Sequence, residues 1–166
     1  MTEKTPFDLF GFLEARTFPT EDVTVLTNEQ LALEASPLVQ ERVALLKKDS
    51  DADVSAIDKK LKKIEDQAKE SALVFHLRGV PQAVIDECFT ANDDKGSLRV
   101  LAAMLTGVTG PDGTDSDQVF AFEDVERLYG VLPPQGAKTL TAAVSRLLVA
   151  SLAFDGMADA GFLAKS

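Results

Sequence analysis

The stretch Ser71-Ala72-Leu73-Val74-Phe75-His76-Leu77-Arg78-Gly79 constrains the chain more than any other. Leu73, Phe75 and Leu77 fall on one face of an extended run, and Val74, His76 and Arg78 on the other. That alternation is the signature of a half-buried strand. A strand leaves a row of backbone donors and acceptors unmet unless a second strand lies beside it. The other run of this kind is Glu21-Asp22-Val23-Thr24-Val25-Leu26-Thr27. The expectation is a small two-stranded β element, at about 22–27 and 72–78, with residues between them filling the connection.

That connection reads as helical. Thr27-Asn28-Glu29-Gln30 matches a capping box, with Thr27 and Gln30 serving the free N–H groups of a helix start. A short helix to about Ala35 follows. Ser36-Pro37 gives a second start, because proline at a first helical position loses no hydrogen bond. That second helix runs to about Lys48, with Val39, Val43 and Leu46 on one stripe. After the polar turn Asp49–Asp53, the apolar positions Val54, Ile57, Leu61, Ile64 and Ala68 are spaced 3, 4, 3 and 4. This seam belongs to a helix lying along another, so an antiparallel helical hairpin is expected between the strands. Lys59, Lys60, Lys62, Lys63 and Lys69 surround the seam, mixed with Asp58, Glu65, Asp66 and Glu70. Interleaved acids and the lack of aromatics make this a solvated face, not a nucleic-acid patch.

Beyond Gly79 the pattern is helical to about residue 154. Pro81 opens a short helix with Val84, Ile85, Cys88 and Phe89 as its core stripe. Leu98, Leu101, Ala102 and Leu105 mark another, ended by Gly107, and 107–118 reads as a loop. Phe122–Tyr129 is a third helix, with Gly130 as its C-terminal cap. Pro133-Pro134 precedes a last helix carrying Ala137, Leu140, Val144, Leu147, Ser151 and Phe154 on one face. Residues from Asp155 onward read as loosely ordered. At the other end, Phe7, Phe10, Phe12 and Phe18 lie between Pro6 and Pro19, in an arm that packs on the body or on another subunit. The fold class is mostly α (α+β), in one domain over 1–166. It divides into an aromatic arm (1–20), a strand–hairpin–strand unit (21–79), a helical core (80–154) and a tail (155–166).

Composition narrows function by exclusion. At 166 residues the chain can bury a full core without metal or disulfide support. Seventeen basic against 27 acidic residues give a net charge of −10, which argues against nucleic acid and anionic membrane surfaces. Single cysteine and histidine residues, Cys88 and His76, leave no disulfide framework, multi-cysteine site or paired-histidine zinc site. Cys88 falls on an apolar stripe as a buried thiol. His76 has no nucleophile constellation around it in sequence. From Asp112 to Glu123 a calcium loop would place Thr114 and Ser116 as weak ligands and Asp117 where the turn needs glycine. Gly136-Ala137-Lys138-Thr139 lacks the glycines of a phosphate loop. No catalytic, cofactor-binding or metal residue is expected, and no enzyme. No apolar run is long enough to cross a bilayer, and Met1–Asp8 lacks the apolar core of a signal peptide. The expected location is the cytoplasm, with Cys88 reduced.

The order of elements carries a resemblance. Leu73-Val74-Phe75-His76-Leu77-Arg78-Gly79-Val80-Pro81 resembles the phenylalanine-x-φ-arginine-x-φ-proline core of tail assembly chaperones from long-tailed (siphovirus-type) phages of actinobacteria. In that layout a short helix, an acidic loop and a helix rich in small residues follow, matched here by Gln82–Phe89 and Leu98–Leu105. Phe122-Glu123-Asp124-Val125-Glu126-Arg127-Leu128 is similar to the acid-led helix that comes next. Gln135–Leu152 is similar to the final alanine- and leucine-rich helix, and Asp159-Ala160-Gly161-Phe162-Leu163 to the chain end. The likeness covers roughly residues 70–166, and the helical hairpin at 37–70 lies outside it.

The resemblance implies a non-catalytic protein that binds the tape measure protein and keeps it soluble during tail tube assembly. It implies a frameshifted longer form of the same chain as a second partner. It places the protein in the host bacterial cytoplasm and outside the mature virion. A homo-oligomer is also open. The partner-binding candidates are the arm residues Phe7, Phe10, Phe12 and Phe18 and the hairpin residues Ile57, Leu61 and Ile64, offered to a client helix in a groove. The competing reading is an acidic helical adaptor, or a structural tail component, with no chaperone role.

Overall fold

Residues 7–116 and 119–159 are described by the computed structural model, with side chains through Ala150. The two alternating runs do pair. β1 (Thr20–Leu26) and β2 (Ala72–Arg78) are antiparallel, with Thr20 opposite Arg78, Val23 opposite Phe75 and Leu26 opposite Ala72. Val23, Val25, Phe75 and Leu77 are buried along one face, as the alternation requires.

The sheet has three strands, not two. β3 (Leu105–Thr109) pairs antiparallel with the far side of β2, so the order is β1-β2-β3. It begins where the preceding helix stops, because Leu105 itself turns to extended backbone (φ −73°, ψ 115°). Gly107, expected to end a helix, instead lies opposite His76 within this strand. A register shift between His76 and Leu77 accommodates the join. The region expected as loop from 107 therefore starts as strand.

Two helices fill the connection. α2 (Glu29–Lys48) is one continuous helix with Pro37 inside it, where two helices were expected. The expected Thr27 cap is also absent. Asn28 precedes the helix without a side-chain capping bond. The Thr27 hydroxyl instead donates to the Ser71 carbonyl at 2.7 Å, holding the two ends of the excursion together. α3 (Ser55–Lys69) returns antiparallel to α2, with Arg42 donating to Asp58 at 2.7 Å near the turn. Leu31 and Ile57 are the buried side chains of these two helices, and neither belongs to the main core.

That core lies on the other side of the chain. α4 (Gln82–Cys88), α5 (Gly96–Met104), α6 (Phe122–Val131) and α7 (Pro134–Asp159) supply it. Cys88, Val100, Leu101, Met104, Val125, Leu140, Ala143, Val144 and Leu147 close over the buried face of the sheet. Phe89, expected on the core stripe, is half exposed. Gly130 lies within α6, which ends at Val131 with Leu132 as its C-cap, just before the two prolines. α7 continues as helix through Asp159, past the point where loose order was expected, and residues 160–166 lie outside the described ones. Its first turn sits directly on β1: a Cβ on buried Gly136 would stand 2.5 Å from Val25 Cγ1. Arg146 adds a tie further along, its Nε donating to Glu21 at 2.9 Å.

The arm holds a short helix, α1 (Leu9–Glu14), capped by Asp8, whose side chain accepts from the Gly11 N–H at 3.0 Å. No residue of α1 is buried.

Candidate functional site

An open apolar groove of about 940 Å³ lies beside the hairpin. Three separate segments build it. α2 contributes Leu31 and Leu33, α3 contributes Leu61, Ile64 and Ala68, and the start of α7 contributes Gly136, with Pro133 just before it. The edge of β1 runs along it at Thr24 and Leu26. The heptad seam explains Leu61, Ile64 and Ala68, which the hairpin leaves half-buried. Leu33 is 69% and Leu26 50% exposed at the mouth, so large aliphatic surface stands in water here. Contiguous apolar surface of this kind is the usual mark of a binding surface.

Acids frame the groove. Glu29 and Glu65 line it. Lys69 bonds Glu65 at 2.9 Å and holds its carboxyl below the usual range. Lys62 and Asp66 pair in the same way at 2.8 Å, which raises the lysine and lowers the aspartate. These (i, i+4) pairs place the lysines on a solvated outer face of α3.

The arm phenylalanines do not reach this groove. Phe7 and Phe12 approach each other with ring centroids 5.6 Å apart, and Phe7, Phe10 and Phe12 are all exposed, Phe10 by 75%. Phe18 separates from them. It is half buried at a second cavity of about 720 Å³, beside Pro19, Val80, Ile85, Met104 and Leu147. The guanidinium carbons of Arg16 and Arg78 lie 4.5 and 5.2 Å from its ring centroid. Of the hairpin candidates, Leu61 and Ile64 line the groove, while Ile57 is buried between the helices. Leu26, Leu31, Leu33 and Ala68 join the surface without having been singled out. The seam spacing carried a signal only for Ala68.

One polar chain invites a catalytic reading. His76 Nδ1 lies 2.7 Å from Asp22 Oδ1, and Nε2 lies 2.6 Å from Thr109 Oγ1. Thr109 in turn donates its hydroxyl to Asp115. A carboxylate only accepts, so Nδ1 donates to Asp22. With its proton directed to Asp115, the Thr109 hydroxyl is not presented to the ring as a nucleophile would be. In this arrangement the imidazole ties β1, β2, β3 and the following turn together. Cys88 is buried, and burial pushes its thiol up, away from the reactive thiolate. Among the described residues, no group of histidine, cysteine, aspartate or glutamate side chains is placed to hold a metal, and no helix is long and apolar enough to cross a membrane.

Set against protein-family models, curated proteins and solved structures, the chain matches no family model, no curated protein and no solved structure.

Proposed function

We propose that the chain is a phage tail assembly chaperone that binds apolar segments of the tape measure protein and keeps them soluble during tail tube assembly. It works in the host bacterial cytoplasm, beside a frameshifted longer form of itself, and leaves no copy in the mature virion. The observation that carries this reading is an open apolar groove, with a separate exposed aromatic arm, on a chain of net charge −10. Unpaired aliphatic surface gives a client somewhere to bury its own stripes, and the charge keeps both partners dispersed.

Co-expression with the tape measure protein tests the reading. The wild-type chain should hold the client in the soluble fraction. Leu33→Glu, on a side chain already mostly in water, should lower that fraction severalfold while the variant itself folds normally. A client that stays soluble without the chain, or equally soluble with Leu33→Glu, would count against it. Stoichiometric recovery of the chain from purified virions by mass spectrometry would instead favour the structural-component reading.

A further inference from the structure

The two edges of the sheet are finished differently. The outer edge of β3 is closed by its own turn: Ser116 N–H donates to Val108 O at 2.7 Å, and Gly110 N–H to Thr114 O at 2.9 Å. Thr109 and Asp115 form a further bridge there.

Among the described residues, no turn closes the outer edge of β1 in this way. Hydrogen bonds to its neighbour run from Thr27 N–H to Ser71 O at 3.2 Å and from Gly79 N–H to Pro19 O at 2.8 Å. In an antiparallel ladder, backbone groups of alternate residues point to opposite sides. With Val23 opposite Phe75, the odd-numbered residues of β1 therefore bond to β2. The N–H and C=O groups of Thr20, Asp22, Thr24 and Leu26 point the other way. Among the described residues β1 pairs with no strand except β2. An open edge of this kind is a template for another strand.

The edge also opens on the groove, which takes in Thr24 and Leu26 together with Leu31, Leu61 and Ile64. α2, α3 and the start of α7 supply the rest of its lining. Glu29 lines the groove, Glu65 lines it already paired with Lys69, Asp22 is held by His76, and the whole chain carries −10. We infer that β1 captures an extended segment of a partner protein, in which basic and apolar residues alternate, as an added strand along Thr20–Leu26. Main-chain bonds hold the segment, its apolar row covers the groove, and its outward basic row is drawn by the net charge of −10. The inference rests on the reading that the groove receives a partner, and it replaces a docked client helix with a strand.

Synthetic peptides test it apart from any tape measure protein, so failure here and failure of the solubility assay are separate results. The probes are a fluorescent lysine–valine alternating hexapeptide, its fully N-methylated form, a glutamate–valine counterpart and a helical lysine–leucine peptide of equal charge. The lysine–valine peptide should bind the full chain, and the other three should bind far more weakly. Thr24→Pro removes one outward N–H at a position where an edge strand tolerates proline, and should weaken binding about tenfold with an unchanged melting temperature. If Thr24→Pro fails to fold, N-methylation of the probe removes the same bonds and decides the matter. Equal binding after N-methylation, equal binding by folded Thr24→Pro, preference for the helical or acidic peptide, or no binding at all would each overturn the inference.

Discussion

His76 is where three strands are locked to one another, and its loss should be felt in stability. His76→Phe keeps a ring on β2 but breaks the bonds to Asp22 and Thr109. The side chain is 34% exposed, so water replaces part of what is lost, and urea denaturation should show a cost of about 1 kcal/mol. Gly136→Ala should cost more, about 1–3 kcal/mol in the same measurement, because the new methyl meets the stiff Val25 side chain in a packed region. Asp93 gives a pH signature. Two bonds from Arg99 and one from the Lys95 N–H hold its carboxyl down to about 2, from an ordinary 3.8. A folded-state value below the unfolded one stabilises the chain above about pH 4, and that share fades as pH falls toward 2. Asp93→Asn should therefore flatten the acid limb of a stability–pH curve in this window and lower stability at neutral pH. At this scale the sequence was legible where a residue had one partner. Val23, Val25, Phe75 and Leu77 are buried as their alternation demands. Thr27 was misread because its hydroxyl could serve a nearby N–H or a carbonyl 44 residues away, and only the folded chain brings Ser71 beside it.

Among the elements, α2 stands out for carrying Pro37 in its interior. Proline there donates no hydrogen bond to the carbonyl four residues back, which belongs to Leu33 at the mouth of the groove. Local chemistry asks for a break at Ser36-Pro37, and packing along α3 keeps the helix whole. Pro37→Ala should raise the melting temperature of the chain, with a gain of about 1–3 kcal/mol. Calorimetry measures it, and an unchanged or lowered value would mean that α2 is not a single helix around residue 37. β3 escaped the sequence for the opposite reason. Leu105 continues the apolar spacing of α5, and Gly107 resembles a helix stop, so a strand starting without any intervening loop leaves no break to read. The seam of α3 was plain, because five apolar positions repeat at heptad spacing.

Across the whole molecule, the main core lies under the buried face of the sheet, and the α2–α3 hairpin stands outside it. Replacing residues 28–70 by Asn-Gly should therefore leave a folded miniature, since Thr27 and Ser71 already face each other as the flanks of a two-residue turn would. Circular dichroism should show a cooperative melt for it, and the client-solubility assay should show its function gone. A miniature without a cooperative transition would place the hairpin within the core. The groove was not legible beforehand, because Leu26 and Leu33, Leu61, and Gly136 come from three separate stretches of the chain and no local spacing joins them. The inserted hairpin also sets a timetable for folding. β2 can meet β1 only after a long stretch of chain has been gathered in, a loop whose closure entropy opposes early pairing. Helices form in about a microsecond or less, so α2 and α3 can shorten that loop before the strands meet. β1 should then be the last strand to be seated, and a variant that slows the hairpin should slow sheet formation in refolding kinetics.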